Sequence, residues 1–223
     1  MSPLDGILLA VCAALAVALL LALRKLLACQ TLPLASTAVP LEFVEALALA
    51  VDLKDAYTRE HSGRARSQAR RLTAELKIPA ATALHVEYAA LLHDIGKIAI
   101  DQSLLLKPSP LTPQEYEILK RHPAIGYQIL ALVPSLGPVA RIVFSHQEHY
   151  DGSGYPSGLQ GEDIPLGSRI IAVIDAWDAM TSDRPYRKAL PREAALLELR
   201  RCTGTQFDPQ VVEAFLKIEA PGA

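Results

Sequence analysis

The sequence predicts an all-α domain preceded by one N-terminal transmembrane helix. From Leu41 onward, apolar residues recur mostly at steps of three and four, and the chain is rich in Ala, Leu, Glu and Arg. This pattern is typical of amphipathic helices, whereas the alternating β-branched runs that indicate strands are few. Residues 7–23 form an uncharged apolar run, and this run predicts the transmembrane helix.

The first predicted element is the membrane anchor at residues 1–27. As a helix, the run at 7–23 spans about 25 Å, which is the short end of the membrane-spanning range. Arg24 and Lys25 follow the run, whereas a cleaved signal peptide carries its positive charges before the run. By the positive-inside rule we expect an uncleaved single-pass anchor, with the bulk of the chain in the cytoplasm.

A second interpretation of the same segment is a lipoprotein signal. Leu26-Leu27-Ala28-Cys29 resembles a bacterial lipoprotein processing site, which would make Cys29 a lipidated N-terminus outside the cytosol. Such signals normally carry no charge just before this site, whereas Arg24 and Lys25 lie there. We therefore favour the anchor, and a C-terminal fluorescent or phosphatase reporter distinguishes the two topologies.

The predicted helical domain follows a linker. Residues 28–40 are small and polar and contain Pro33 and Pro40, so we place the linker there and the domain at 41–220. Periodicity predicts, in chain order, helices at 41–56, 58–77, 80–93, 113–121, 123–132, 136–149, 167–181, 190–201 and 208–218. Residues 100–112 and 151–167 are rich in proline or glycine and are expected to be irregular.

Composition and charge exclude several classes of protein. With 51% hydrophobic and 21% charged residues, the chain is neither disordered nor of low complexity. Its 22 basic residues are balanced by 24 acidic ones, so no positive excess favours a nucleic-acid polymer. Cys12, Cys29 and Cys202 form no CxxC pair, which argues against a disulfide scaffold or a thiolate zinc site.

The histidines provide the first functional signal. The chain has six, namely His61, His85, His93, His122, His146 and His149. His93 is followed at once by Asp94 at the end of an apolar predicted helix. Without a cation, these two strong metal ligands would lie against apolar surface at a cost in free energy. An imidazole beside a carboxylate suits a divalent metal ion.

Short motifs surround these histidines in a specific order. They are Asp55-Ala56-Tyr57-Thr58 with His61-Ser62, His93-Asp94-Ile95-Gly96-Lys97, His122-Pro123, His146 with Glu148, Asp151-Gly152-Ser153-Gly154-Tyr155-Pro156, the segment from Asp175 to Arg187, and Gln206-Phe207-Asp208-Pro209. The series resembles the HD-GYP subgroup of the HD-superfamily metal-dependent phosphohydrolases over essentially all of 41–220. The resemblance implies the helical bundle of the HD superfamily.

The resemblance also implies two divalent metal ions, with iron or manganese expected. One ion would be held by His61, His93, Asp94 and Asp175, and the second by Asp94 as a bridge, His122 and His146. Neutral imidazoles with two carboxylates leave coordination positions open for a hydroxide and for phosphate oxygens. The expected reaction is phosphodiester hydrolysis by a two-metal hydroxide mechanism, in which Asp94 and Lys97 are the catalytic residues.

The substrate that the resemblance implies is cyclic di-GMP, hydrolysed to 5′-pGpG, with further hydrolysis to GMP left open. Lys97, Arg184 and Arg187 are expected to contact phosphate, and Tyr155 is expected to stack on or hydrogen-bond a guanine. The alternatives are a solvated lysine and arginines paired with neighbouring aspartates. The expected location is the bacterial inner membrane, and the partners considered are a diguanylate cyclase domain and a second copy of the chain.

Two positions depart from the family pattern. Many members have two adjacent histidines where this chain has His146 and Gln147, and members with three metals carry a glutamate at the position of Tyr57. Both departures affect groups assigned to the third ion, so we expect a two-metal centre. We expect His149 at a solvent-facing helix end and His85 on the surface.

Two other functions remain open at this point. Gln147 keeps open a catalytically weak HD-GYP signalling module that acts as a cyclic dinucleotide receptor or as a docking partner for diguanylate cyclases. The other function is hydrolysis of a different nucleotide, which competition among substrates would reveal. The loop at Asp151 to Pro156 argues against a guanosine polyphosphate.

Overall fold

The structure is a computed structural model that describes residues 39–54, 61–183 and 188–219. The predicted anchor at 1–27 lies outside the described residues, and so do Tyr57, Arg184 and Arg187. Among the helices that are described, none combines the length and the apolar character needed to cross a membrane.

Within these ranges the chain forms ten α-helices and no β-strand, which confirms the all-α class for the described residues. The helices are α1 (Leu41–Asp52), α2 (His61–Glu75), α3 (Ala80–Leu92), α4 (Gln102–Leu105), α5 (Pro113–Leu119), α6 (His122–Ala131), α7 (Gly137–Phe144), α8 (Leu166–Thr181), α9 (Arg192–Arg201) and α10 (Pro209–Ile218). Short 3-10 segments lie at Ile95–Ala99, Pro134–Leu136 and Gly161–Asp163.

Prolines and side-chain caps explain why most helices begin near their predicted residues. A proline occupies the N-cap position of four helices: Pro40 for α1, Pro79 for α3, Pro165 for α8 and Pro191 for α9. Thr112 and Glu115 form a reciprocal capping box at the start of α5. Asp208 caps α10 by accepting a hydrogen bond from the Gln210 backbone N–H at 2.7 Å.

The structure corrects the helix predicted at 136–149, because α7 ends at Phe144. Ser145 leaves the helical conformation, with φ −105° and ψ 10°. Beyond it the buried Glu148 carboxylate accepts a hydrogen bond from the Ser157 backbone N–H at 2.7 Å. The chain therefore turns to meet the glycine-rich loop instead of continuing the helix.

The irregular stretch predicted at 100–112 contains the short helix α4. The Asp101 carboxylate starts this helix by accepting a hydrogen bond from the Ser103 backbone N–H at 2.8 Å. The helix predicted at 41–56 ends at Asp52. Two residues later, Lys54 Nζ donates to the carbonyl oxygen of Ile100 at 2.6 Å and ties the end of α1 to the 3-10 segment after α3.

The helices α2, α3 and α8 pack on one another in the core. Their contacts use residues spaced by three and four: Ala65, Ala69 and Leu72 of α2, Val86, Ala89 and Leu92 of α3, and Ile170, Ile171 and Ile174 of α8, all almost fully buried. His61 begins α2, His93 directly follows α3, and Asp175 directly follows the buried Ile174 of α8. The same packing that buries the core therefore brings these three polar residues together.

A close backbone approach joins the segment after α3 to the start of α6. A Cβ added at Gly96 would lie 1.9 Å from the His122 carbonyl oxygen and 2.7 Å from the Gly126 backbone nitrogen. Only glycine permits this approach. The approach places His122 beside Asp94.

Candidate metal centre

Six side chains from separate parts of the fold converge at one end of the helical core. They are His61 at the start of α2, His93 and Asp94 after α3, His122 at the start of α6, His146 in the turn after α7, and Asp175 in α8. The structure thus brings together all six residues that the sequence suggested as metal ligands.

His61, His93 and Asp94 form the first donor group, and their nearest donor atoms all lie within 4.8 Å of one another. The His61 and His93 Nε2 atoms are 3.1 Å apart, and Asp94 Oδ2 lies 3.5 Å from His93 Nε2. Asp175 Oδ1 adds a further oxygen, 3.7 Å from His61 Nε2 and 3.9 Å from His93 Nε2. Two nitrogens and two carboxylates around one point suit a divalent transition metal.

Asp94, His122 and His146 form the second donor group under the same distance limit. The two histidine Nε2 atoms are 3.2 Å apart, and Asp94 Oδ1 lies 3.6 Å from His122 Nε2. Asp94 therefore presents Oδ2 to the first group and Oδ1 to the second. This arrangement is suited to a carboxylate that bridges two ions.

Backbone carbonyls orient three of the imidazole rings. His93, His122 and His146 each use Nδ1 to donate to the carbonyl oxygen three residues earlier, at 2.9, 2.8 and 2.7 Å. A carbonyl oxygen only accepts, so Nδ1 carries the proton and a neutral ring leaves Nε2 with a bare lone pair. Such outer-shell hydrogen bonds are typical of histidines that ligate metals.

The protonation states also fit a metal. Burial, reinforced by His122 and His93, lowers the pKa of His146 to about 3, and burial lowers the pKa of His122 as well. These two rings are thus neutral, and their bare Nε2 atoms face each other at 3.2 Å. Two lone pairs at this distance repel, and a cation between them removes the repulsion. The donor set therefore fits a divalent metal ion.

The carboxylates of the centre are ionised. Burial alone would raise the pKa of Asp94, but the Lys97 ammonium group and the nearby His61, whose own pKa is raised, outweigh burial and hold the pKa of Asp94 well below its usual range. Lys97 Nζ lies 2.7 Å from Asp94 Oδ2. Burial would likewise raise the pKa of Asp175, but His93 and His61 lower it. Both carboxylates can therefore ligate at neutral pH.

His61 is oriented by a carboxylate that the sequence reasoning did not assign to the site. His61 Nδ1 lies 2.6 Å from Asp178 Oδ2, and Arg64 Nε and Nη2 lie 2.5 and 3.0 Å from the two Asp178 oxygens. Burial would raise the pKa of Asp178, but His61 and Arg64 hold it far below its usual range. The signal that was missed is the spacing of Asp175 and Asp178, which lie one helical turn apart on α8.

We predict that Asp178→Asn lowers metal affinity about tenfold to a hundredfold. The asparagine amide lacks the negative charge with which the Asp178 carboxylate accepts from His61 Nδ1 and orients the ring. Metal titration of the full chain, followed by mass spectrometry of bound metal, measures the change. Glu198→Gln is the control, because the side-chain partners of Glu198 among the described residues are Arg201 and Cys202, near the C-terminal end of α9. Equal metal affinity in the two variants contradicts an orienting role for Asp178.

The remaining histidines lie apart from both donor groups. His149 uses Nδ1 to contact Ser153 Oγ at 3.0 Å within the loop that follows. It does not occupy a helix end as expected, because α7 has already ended at Phe144. His85 is half-buried on α3 rather than on the open surface.

A cleft of about 800 Å³ opens onto the metal-ligand side chains. Asp94, His122 and Asp175 line it, and so do the predicted substrate residues Lys97 and Tyr155. This volume lies in the range of small-molecule binding sites. Arg184 and Arg187 fall outside the described residues, so their expected phosphate contacts remain predictions.

The loop that bears Tyr155 is held against the turn that bears His146. The Tyr155 backbone N–H donates to the Gln147 carbonyl oxygen at 3.1 Å. A Cβ at Gly154 would lie 2.2 Å from the His149 backbone nitrogen, so the loop packs here without a side chain. The start of the loop is tied to the segment before α10, because the Asp151 N–H donates to the Thr205 carbonyl oxygen at 2.8 Å.

Comparison with known proteins identifies relatives of this fold and site. The model of a family described as HD domain matches residues 45–211. A Thermotoga maritima protein named cyclic di-GMP phosphodiesterase is 42% identical over 180 residues, which are 80% of this chain and 49% of that protein. A Xanthomonas campestris response regulator named cyclic di-GMP phosphodiesterase is 43% identical over 178 residues, 79% of this chain and 47% of that protein.

A solved structure shares the fold. It is described as a cyclic GMP-AMP specific phosphodiesterase of V. cholerae, and it aligns with a TM-score of 0.63 at 22% identity. The alignment covers 79% of this chain and 48% of that one. This chain thus spans about half the length of the curated relatives described above.

Proposed function

This chain belongs to the HD-GYP subgroup of the HD-domain family, and from this membership we propose that it is a metal-dependent phosphodiesterase that hydrolyses cyclic di-GMP. The observation that carries the proposal is the position of Asp94, whose two oxygens face separate donor groups beside a cleft of about 800 Å³. The relatives named as cyclic di-GMP phosphodiesterases support this substrate.

The chemistry follows from the groups that surround the cleft. Divalent ions held by the two donor groups would lower the pKa of a water molecule and offset phosphate charge. Asp94 carries the negative charge shared by both groups, and Lys97 holds its ammonium group 2.7 Å from that carboxylate. A phosphate that enters the cleft therefore meets a fixed positive side chain beside the ligand cluster.

The proposed reaction opens the cyclic dinucleotide by one hydrolysis. The water oxygen forms a new bond to phosphorus, the P–O3′ bond breaks, and a proton passes to O3′. The product is linear 5′-pGpG, which carries one 5′-phosphate and one free 3′-hydroxyl. Hydrolysis of the remaining phosphodiester bond would give GMP by the same chemistry.

Product analysis tests the proposed function directly. The full chain in detergent, supplied with Mn²⁺ or anaerobically with Fe²⁺, is incubated with cyclic di-GMP, and the products are separated by chromatography. We expect 5′-pGpG to appear in proportion to enzyme concentration and to vanish on addition of a chelator. The absence of turnover under both metal conditions contradicts the proposal.

We predict that Lys97→Met lowers kcat/KM for cyclic di-GMP about a hundredfold, because the cleft loses a positive charge beside the phosphate site. The bound metal content is expected to stay unchanged, since Lys97 is not a ligand. Steady-state kinetics with metal analysis measures both quantities. Lys217→Met is the control, because this lysine pairs with Glu213 on the exposed side of α10. A Lys97→Met enzyme as active as the control contradicts the assignment.

The location of the enzyme is a separate proposal that rests on the sequence. Residues 1–27 would anchor the chain in the inner membrane, with the catalytic domain in the cytoplasm. A C-terminal fluorescent reporter is then active, whereas a C-terminal phosphatase reporter is not, and the reverse result contradicts this topology. Phe43 and Leu49 of α1 and Leu53 just after it are exposed apolar residues, and this exposure supports a second copy of the chain as a partner.

A further inference from the structure

Gln147 lies in the wall of the cleft but points away from the donor groups. Its neighbour His146 directs Nε2 towards His122, whereas the Gln147 side chain contacts the loop on the other side of the turn. Gln147 is half-buried and lines the same cleft as Asp94. The side chain is thus placed beside a ligand in the cleft rather than within either donor group.

The orientation of the Gln147 amide is set by Tyr155. The Tyr155 hydroxyl donates to Gln147 Oε1 at 3.2 Å, and the Tyr155 backbone N–H donates to the Gln147 carbonyl oxygen at 3.1 Å. With Oε1 accepting this bond, the amide nitrogen faces a different direction. None of the residues described in the structure accepts a hydrogen bond from this nitrogen, so its donors remain available to a ligand.

The surroundings of Gln147 are aromatic and rich in donors. Lys120 Nζ lies 5.4 Å from the ring centre of Tyr116 and 5.5 Å from that of Tyr155, and both tyrosines line the cleft. Burial, with the nearby Tyr116, raises the pKa of Tyr155, so its hydroxyl stays neutral and can donate. Flat rings beside an amide donor are suited to a nucleobase, which stacks on the rings and bonds through its edge.

The donor character of this wall distinguishes the two purines. Guanine presents two acceptors, O6 and N7, on one edge, whereas adenine presents one acceptor and the N6 amino donor there. At O6 of guanine an amide NH₂ faces a matching acceptor, but at the corresponding N6 of adenine it faces a second donor. A mismatch of this kind leaves buried polar groups unpaired and reduces affinity.

We propose that Gln147 is a specificity-determining residue that donates from its side-chain amide to O6 of a guanine in the bound cyclic dinucleotide. In this arrangement Tyr155 is the positioning residue, because it holds Oε1 and thereby aims the nitrogen. The inference rests on the proposed phosphodiesterase function and adds the base that the site selects.

The test compares Gln147→Met with the wild-type full chain, because methionine keeps the length of the side chain and removes the amide. We expect KM for cyclic di-GMP to rise about tenfold to a hundredfold, while kcat changes less than threefold. The inhibition constant of cyclic di-AMP, used as a competitor, is expected to stay the same. Tyr155→Phe is expected to raise KM for cyclic di-GMP several-fold and to leave the inhibition constant of cyclic di-AMP unchanged.

A matched control and a metal measurement complete the test. Gln160→Met changes an exposed glutamine of the same loop. This control is expected to keep the wild-type KM for cyclic di-GMP and the wild-type inhibition constant of cyclic di-AMP. The inference is overturned if Gln147→Met changes KM for cyclic di-GMP and the inhibition constant of cyclic di-AMP by the same factor. It is also overturned if the variant loses bound metal. A wild-type chain that does not turn over cyclic di-GMP overturns the proposed function itself, which is a distinct result.

Discussion

Asp94→Asn is expected to lower turnover of cyclic di-GMP at least about a thousandfold, because catalytic groups that act as a unit lose most of their effect together. Asp94 is the residue shared by both donor groups, with Oδ2 3.5 Å from His93 Nε2 and Oδ1 3.6 Å from His122 Nε2. Asparagine keeps the shape but removes the charge and one of the two oxygens. Both groups therefore lose affinity for metal.

Single-turnover kinetics and metal content, measured on the full chain, check this expectation. Glu162→Gln is the control, because Glu162 is an exposed carboxylate away from the donor groups. The variant also separates an enzyme from a receptor module, since a docking partner keeps its effect in cells after Asp94 is replaced. An Asp94→Asn chain with full metal content and more than a tenth of wild-type turnover contradicts the bridging role.

The second large effect is expected at Gly96, where Gly96→Ala should lower the free energy of unfolding by about 3 kcal/mol. The added Cβ would lie 1.9 Å from the His122 carbonyl oxygen and 2.7 Å from the Gly126 nitrogen. Both atoms belong to the backbone of α6, so no side-chain rotation relieves the clash. Moving α6 away also separates His122 from Asp94, so activity falls even in the fraction that stays folded.

Denaturant unfolding and turnover, measured on the same preparation, test this prediction. Gly63→Ala is the matched control, because Gly63 is exposed within α2 and, apart from the adjacent backbone of α2 itself, no described atom lies within 4 Å of its added Cβ. Alanine there is expected to raise stability by up to about 1 kcal/mol, since glycine is a poor helix former. Equal unfolding midpoints for the two variants contradict the close approach.

The helical periodicity predicted most of the fold because it reports local backbone geometry. The periodicity predicted a wrong helix end where contacts with a distant part of the chain end the helix. Glu148 continues the helical pattern of α7, but its carboxylate is buried and bonded to the Ser157 backbone, so the helix ends at Phe144. The small helix α4 was missed because its start depends on one capping carboxylate, Asp101, within a proline-rich stretch.

The candidate site shows the same difference between features that depend on neighbouring residues and features that depend on residues far apart in the chain. Motif order along the chain was enough to indicate the resemblance to the HD-GYP subgroup, and that resemblance implied the six candidate ligands. Motif order did not indicate the roles of Asp178 and Gln147, which depend on contacts within the folded structure. Asp178 meets His61 across 117 positions of the chain, and Gln147 meets Tyr155 only because the loop folds back on the turn after α7.

The amino-acid order alone was therefore sufficient for the helical class and the motif series, because residue type and spacing are properties of the chain. The candidate ligands followed from the resemblance of that series to the HD-GYP subgroup. The packing of α2, α3, α6, α7 and α8 decided the geometry of the site. It placed pairs of Nε2 atoms 3.1 and 3.2 Å apart and turned the two Asp94 oxygens towards different histidines. Such distances depend on contacts between helices far apart in the chain, and local propensity carries no information about them.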